Sequence, residues 1–224
     1  ETDDEEDIAS RFVDSDLPED IELHLRKIVE IVHEPLAIRS SSVLEDSQNL
    51  PFAGLYATYM LPNNHPNPEV RLKQLSDAVK LVYASVFYRA PKEYVRNTYY
   101  RIEEERMAVI VQEVAGEKHE DLFYPVLSGV AQSHNFYPTH PIKPSDGLAH
   151  MALGLGKTIV DGENIYRFSP RYPKRNPPYA STGEFLRMSQ SHFYALDLNY
   201  TGVDVDADDA FSLKRPDLTR AEED

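Results

Sequence analysis

An α+β fold, with helices early and strands late, follows from three observations in this sequence of 224 residues. Asp20 to His33 and Glu69 to Tyr88 place apolar residues at helical spacing. From Met107 onward the pattern changes to short β-branched and aromatic runs separated by turn residues. These strands succeed one another without a regular helix between them, which argues against a doubly wound parallel sheet.

In the segment DIELHLRKIVEIVH, Ile21, Leu25, Ile28, Val29 and Val32 fall on one stripe, with a start at Glu19 or Asp20 after Pro18 and an end imposed by Pro35. Leu36-Ala37-Ile38 reads as a short buried strand that delivers Arg39 at its C-terminal end. The run PNNHPNP, Pro62 to Pro68, is a turn-rich break. The strongest helix follows, carrying Leu72, Leu75, Val79, Val82, Tyr83 and Val86 on one face. Ala90-Pro91 punctuates it, and Lys92 to Glu105 predicts another helix. Met107 to Val114, MAVIVQEV, is rich in β-branched residues and reads as a buried strand. Gly116 to Tyr124 reads as a polar, hairpin-like loop and Val126 to Tyr137 as its return strand. Gly147 to Leu153, Ile165 to Phe168 and Phe193 to Leu196 complete the strands, and Pro170 to Pro178 is expected to be extended.

Composition narrows the function. A net charge of −15 argues against non-specific binding to nucleic acid or an anionic membrane, which needs clustered Lys and Arg. The 41% hydrophobic content is enough for a core. With no cysteine, a disulfide scaffold, a thiolate metal site and a Cys nucleophile are excluded. There is no run long enough to span a bilayer and no signal-peptide pattern, so a soluble, reducing, cytoplasmic setting is expected. The charge sits at the ends. Residues 1–18 are expected to be an acidic flexible segment, 19–200 the folded domain and 201–224 an acidic C-terminal segment relieved only by Lys214, Arg215 and Arg220. The first residue is Glu, which reads as a piece excised from a longer chain.

Pro35 to Leu61, PLAIRSSSVLEDSQNLPFAGLYATYML, holds most of the candidate chemistry. Arg39 offers a planar, permanent cation suited to phosphate oxygens, with Ser40, Ser41 and Ser42 as small donors beside it. Gly54 permits a close backbone approach, and Thr58 adds a hydroxyl. The residues alone also allow a plain surface loop in which Arg39 pairs with Glu45 or Asp46. MAVIVQEV could likewise be only a core strand.

GLGKTIVDG, Gly154 to Gly162, lacks the spacing of a phosphate-binding P-loop. Gly154 and Gly156 read as a strand-to-helix turn, with a ligand contact by Lys157 as the lesser alternative. His134 and His140 show no metal-ligand spacing, so no metal ligand is assigned in this chain. Arg167, Arg171, Lys174 and Arg175 form the one basic cluster, read as a solvated face with an anionic ligand or neighbouring domain as alternatives.

Four blocks in order resemble the nucleotide-binding domain of the phosphoenolpyruvate synthase and pyruvate phosphate dikinase family. They are the Arg-Ser-Ser, Glu-Asp, Phe-Ala-Gly and Thr series from Arg39 to Thr58, then MAVIVQ from Met107 to Gln112, Ser128-Gly129-Val130, and GLGKTIVDG. The resemblance runs from about Glu34 to Ser169. It implies an ATP-grasp-like lobe, mostly antiparallel sheet with flanking helices and incomplete. By position, Arg39 would contact the ATP phosphates, and Thr58, after Gly54, would lie over the phosphate tail. Gln112 would end a strand beside the adenine, and the backbone of Glu113, Val114 and Ala115 would hydrogen-bond the adenine edge.

The family's Gly-Gly-Lys segment, its Gln-Asp-x-Glu and Gln-x-Arg-Pro strands and the Glu usually found at the place of Lys157 are not matched here. Magnesium ligands are therefore expected outside this chain, as are the phosphohistidine and pyruvate/phosphoenolpyruvate domains that would be its partners. The resemblance implies the nucleotide-binding part of an enzyme converting ATP, pyruvate and water to AMP, phosphoenolpyruvate and phosphate, inactive by itself. A dikinase acting on another acceptor and a non-catalytic nucleotide-sensing module are the alternatives.

Overall fold

Asp4 opens the first helix, α1 (Glu5–Val13), by accepting a hydrogen bond from the Glu6 N–H at 3.1 Å. Glu5, Glu6 and Asp7 occupy its first turn, where negative charge is favoured by the helix dipole. Ile8 and Ala9 are buried, and Lys80 Nζ donates to the Val13 carbonyl at the far end (2.9 Å). The flexible acidic segment expected over 1–18 is thus corrected across α1. The acids suit a helix N-terminus, and an apolar pair anchors the helix. The computed structural model describes residues 4–42, 54–96, 105–175, 181–200 and 212–223.

The chain divides into two units, Glu1–Val114 with Leu196–Leu213, and Ala115–Ala195 with Lys214–Asp224. Within the span 19–200 the chain passes from the first unit to the second at Ala115 and returns to the first at Leu196.

In the first unit, α2 (Glu19–Ile31) precedes β1 (Leu36–Ser42) and β2 (Thr58–Leu61), and α3 (Pro68–Ala84) runs through a 3₁₀ turn (Ser85–Phe87) towards α4 (Arg89–Arg96). Asn67 caps α3 by accepting from the Glu69 N–H at 3.0 Å, and Pro68 takes the first helical position, where its missing N–H costs nothing. The helix expected from Lys92 starts earlier, with Pro91 tolerated in the first turn. Residues 97–104 of that expectation lie outside the described residues.

β3 (Met107–Glu113) completes a fully antiparallel sheet in the order β2-β1-β3. β1 is central and alternates strictly. Leu36, Ile38, Ser40 and Ser42 are buried on one face, while Ala37, Arg39 and Ser41 take the other. Leu36 and Ile38 join Tyr59, Leu61, Leu72, Leu75, Val79 and Val82 in the core, so α3 covers one face of the sheet. The outer edge of β2 is also occupied. The Ser212 hydroxyl donates to the Met60 carbonyl, and Asn64 Nδ2 donates to the Leu198 carbonyl at 2.7 Å.

The second unit holds a hairpin of β4 (Glu117–His119) and β5 (Leu122–Tyr124), and an antiparallel sheet β6-β7-β8 built from Ser128–Gln132, Leu148–Ala152 and Tyr166–Phe168. The hairpin-like loop expected at 116–124 is a paired antiparallel hairpin, and its second strand is less polar than expected, with Leu122, Phe123 and Tyr124 all buried. The strand expected over 126–137 is shorter, 128–132. α5 (Lys157–Val160) and α6 (Thr182–Met188) are short, as are β9 (Ala195–Asp197) and β10 (Leu213–Lys214), which lie where the chain changes unit. α7 (Leu218–Glu223) ends the chain, packing Leu218 and Ala221 on Leu122, Tyr124, Phe193 and Ala195. The cations that interrupt the acidic tail hold this end down. Lys214 and Arg220 pair with Asp121, and Arg215 pairs with Glu163 at 2.8 Å.

Candidate functional site

The face of the β2-β1-β3 sheet away from α3 is where the sequence-derived residues meet. β1 presents Ala37, Arg39 and Ser41 there. In an antiparallel pair, residues directly opposite share a face. Arg39 lies opposite Thr58 on β2 and opposite Ile110 on β3. Ala37 lies opposite Met60 and Gln112. Arg39, Thr58 and Gln112 are therefore neighbours on one face, Arg39 and Gln112 exposed and Thr58 half-buried. Ile110, 37% exposed, supplies apolar surface next to the Arg39 side chain.

Among the described residues no ion pair involves Arg39; its alternative partners, Glu45 and Asp46, lie outside them. An exposed guanidinium on a central strand, between a hydroxyl and an apolar side chain, can accept a phosphate in its planar fork.

Gly54 sits four residues before Thr58 with φ at +79°, a conformation that favours glycine. A Cβ there would meet nothing within 4 Å, so the backbone angle, not crowding by the protein, is the reason for glycine.

At the other end of β3 the linker is constrained in an unexpected way. The Val114 N–H donates to the Pro35 carbonyl at 2.8 Å, so this donor is already engaged. In a hydrogen-bonded antiparallel pair the return bond would run to the Val114 carbonyl, but Pro35 has no N–H to give. Among the described residues nothing else donates to that carbonyl. Glu113 lies opposite Leu36 at the end of β3 and is exposed, while Ala115, also exposed, begins the second unit. Sequence reasoning named Val114 but missed Pro35, whose place in the ladder depends on the register.

The other two blocks meet in the second unit. Ser128 lies opposite Ala152, and its hydroxyl donates to the Gly154 carbonyl at 2.6 Å. A Cβ on Gly129 would come within 2.8 Å of the His150 carbonyl, which explains the glycine after Ser128. Gly154, with φ at +83°, would place a Cβ 2.7 Å from the Tyr194 carbonyl. The Gly154 and Leu155 N–H groups donate to the carbonyls of Pro125 (3.2 Å) and Tyr194 (2.8 Å). These donors serve the fold, and the strand-to-helix turn into α5 is as the sequence predicts. Lys157 lies 3.4 Å from Asp161 and its ammonium stands 5.8 Å from the centre of the Tyr194 ring.

In the basic cluster, Arg171 approaches Asp146 at 3.5 Å and Arg175 donates to the His140 carbonyl at 2.9 Å. Arg167 lies across from His150 on the β7–β8 pair. Burial, followed by the Arg167 charge, holds the His150 pKa below its ordinary value of 6.5.

The family model of the pyruvate phosphate dikinase AMP/ATP-binding domain matches residues 2–182. The chain belongs to that family. It carries an ATP/AMP-binding domain of the ATP-grasp type, and the match takes in α1 as well as all four blocks. A search of curated proteins finds no match.

No helix among the described residues is long and apolar enough to cross a membrane. Among the same residues no cluster of three or more His, Asp or Glu is placed to hold a metal ion.

Proposed function

We propose that the open face of the β2-β1-β3 sheet is the nucleotide site of a phosphoenolpyruvate synthase-like phosphotransferase, with Arg39 on the phosphates and the end of β3 on the adenine. The observation that carries this reading is the shared face of Arg39, Thr58 and Gln112. From Ile110, opposite Arg39, to Val114 is about 13 Å along an extended strand, a span that an extended nucleoside triphosphate can bridge.

In this pose the Arg39 guanidinium binds phosphate oxygens through its planar fork, and the Thr58 hydroxyl donates to the same tail. Gly54 leaves the approach over that tail clear. Gln112 flanks the base. The Val114 carbonyl, without a donor from Pro35, accepts from the exocyclic amino group of adenine, and Glu113 and Ala115 frame it with backbone groups. A cation held at the phosphates stabilises negative charge as it shifts during transfer. The reaction proposed for the full-length enzyme is ATP, pyruvate and water to AMP, phosphoenolpyruvate and phosphate. A phosphohistidine on another domain would carry the group, with magnesium supplied by residues other than those described.

The full-length gene product, given Mg-ATP and pyruvate, is expected to release AMP, and Arg39→Ala to abolish that release. ADP as the product, or undiminished AMP release from the variant, refutes the assignment.

A further inference from the structure

Helix α3, continued by the 3₁₀ turn at Ser85, carries two buried polar groups that hold backbone flanking the sheet at opposite ends, and neither belongs to the face that would touch the nucleotide. At its C-terminal end, Ser85 is fully buried. Its hydroxyl donates to the Val82 carbonyl at 2.7 Å and accepts from the Ala57 N–H at 3.1 Å. Ala57 is the residue immediately before Thr58, so this one hydroxyl ties the start of β2 to the helix.

At the N-terminal end, Arg71, 5% exposed, donates to the Val32 carbonyl at 3.2 Å and contacts the Asn63 side-chain oxygen at 3.5 Å. Asn63, 4% exposed and with φ at +50°, donates through Nδ2 to the carbonyls of Val32 (2.9 Å) and Glu34 (3.0 Å). Those carbonyls lead directly into Pro35, whose own carbonyl holds the Val114 N–H.

Arg71 and Ser85 stand 14 residues apart, about 21 Å along α3 and into the turn that continues it. Apolar packing of α3 fixes the sheet's height but leaves it freer to slide; a hydrogen bond fixes a backbone atom. We infer that Ser85 and the Asn63–Arg71 pair are positioning residues that set the two ends of the nucleotide site separately. Ser85 positions the phosphate end through Ala57 and Thr58, and Asn63–Arg71 positions the base end through Pro35 and Val114. This inference rests on the nucleotide site assigned above to the open sheet face.

Titrations followed by amide NMR test it, with adenosine as the base without phosphates, tripolyphosphate as the phosphates without a base, and ATP as both. Ser85→Ala is expected to weaken tripolyphosphate and ATP by about fivefold, the worth of one positioning hydrogen bond, and to leave adenosine unchanged. Asn63→Gly keeps the positive φ while removing the amide, and is expected to weaken adenosine and ATP by a similar factor and to spare tripolyphosphate. Ser85→Thr, which keeps the hydroxyl, should restore tripolyphosphate binding. If Asn63→Gly fails to fold, Asn63→Asp, which keeps the shape but lacks the Nδ2 donors, takes its place; Ser85→Cys does so for Ser85→Ala.

Equal weakening of all three ligands by both variants, or no weakening by either, overturns the inference while leaving the site reading intact. If the unaltered protein shows no ATP-induced shifts at Arg39, Thr58 and Gln112, the site reading fails and the inference falls with it.

Discussion

Arg39 and Lys157 are both cations in glycine-bearing motifs, and either could be taken from the sequence as a phosphate ligand. The folded chain treats them oppositely. Arg39 stands exposed on the middle strand of a three-stranded sheet, between Thr58 and Ile110, with no ion-pair partner among the described residues. Lys157 is flanked by Asp161 and the Tyr194 ring, at the start of a helix only four residues long. The glycines differ in the same sense. Gly54 has open space where a Cβ would go, whereas Gly154 is pressed against Tyr194 and Phe193. A motif supplies groups, and neighbours decide which of them a ligand can reach.

The largest expected effect probes the crowded glycine. Gly154→Ala demands a positive φ from a residue that resists it and puts a methyl 2.7 Å from the Tyr194 carbonyl and 2.9 Å from the Phe193 Cβ. A loss of about 3 kcal/mol in urea-unfolding stability is expected, with ATP affinity per folded molecule unchanged. A variant of normal stability that had lost ATP would mean the Gly-Leu-Gly turn is the phosphate cradle after all.

Arg39→Ala should do the reverse. It removes an exposed side chain from the open face, so stability should move by no more than about 0.5 kcal/mol. ATP binding should fall about 30-fold, the worth of a charge-assisted contact to phosphate. Calorimetry and urea unfolding on the same sample separate the two effects. Lys157→Met is expected to change ATP affinity by less than about twofold and to cost about 0.5–1 kcal/mol through the lost contacts with Tyr194 and Asp161. An ATP loss matching that of Arg39→Ala would erase the distinction between the two cations.

Much of the first unit was legible because it is local. The stripe from Leu72 to Val82 and the alternation through Leu36, Ile38 and Ser40 are periodic signals, and burial follows them. The meeting of Arg39 with Thr58 and Gln112 was legible only through the resemblance, since cross-strand register is not written in any one segment. Three features were not legible. The α1 segment looked like a solvated acidic run because four of its residues are charged, three of them acidic, yet Ile8 and Ala9 are buried and anchor it. Within the hairpin-like loop read at 116–124, the buried strand Leu122–Tyr124 was hidden by the charged residues around its turn. The anchors Ser85, Asn63 and Arg71 act across 28 to 39 residues of sequence, where no short-range pattern points to them.

The smallest expected effect is a pH dependence confined to the second unit. Burial and, after it, the Arg167 charge depress the His150 pKa below 6.5, and its Nε2 is buried with no hydrogen-bond partner among the described residues. Val130 faces it from β6 and Arg167 from β8, so neither strand offers a carboxylate to stabilise an imidazolium. The sign follows from which state holds the proton. As pH falls through 6.5 the unfolded chain protonates this histidine while the folded chain still resists, so the unfolded state is favoured. Above that pH the group contributes no slope; below it stability declines until the folded-state pKa is passed. His150→Gln should therefore flatten the fall in urea midpoint between about pH 7.5 and about pH 5.5, without altering ATP affinity at neutral pH. An unchanged slope in the variant would assign the acid sensitivity elsewhere. A slope removed together with ATP affinity would place His150 and Arg167 in the nucleotide site, and the contrast between the two regions would then no longer hold.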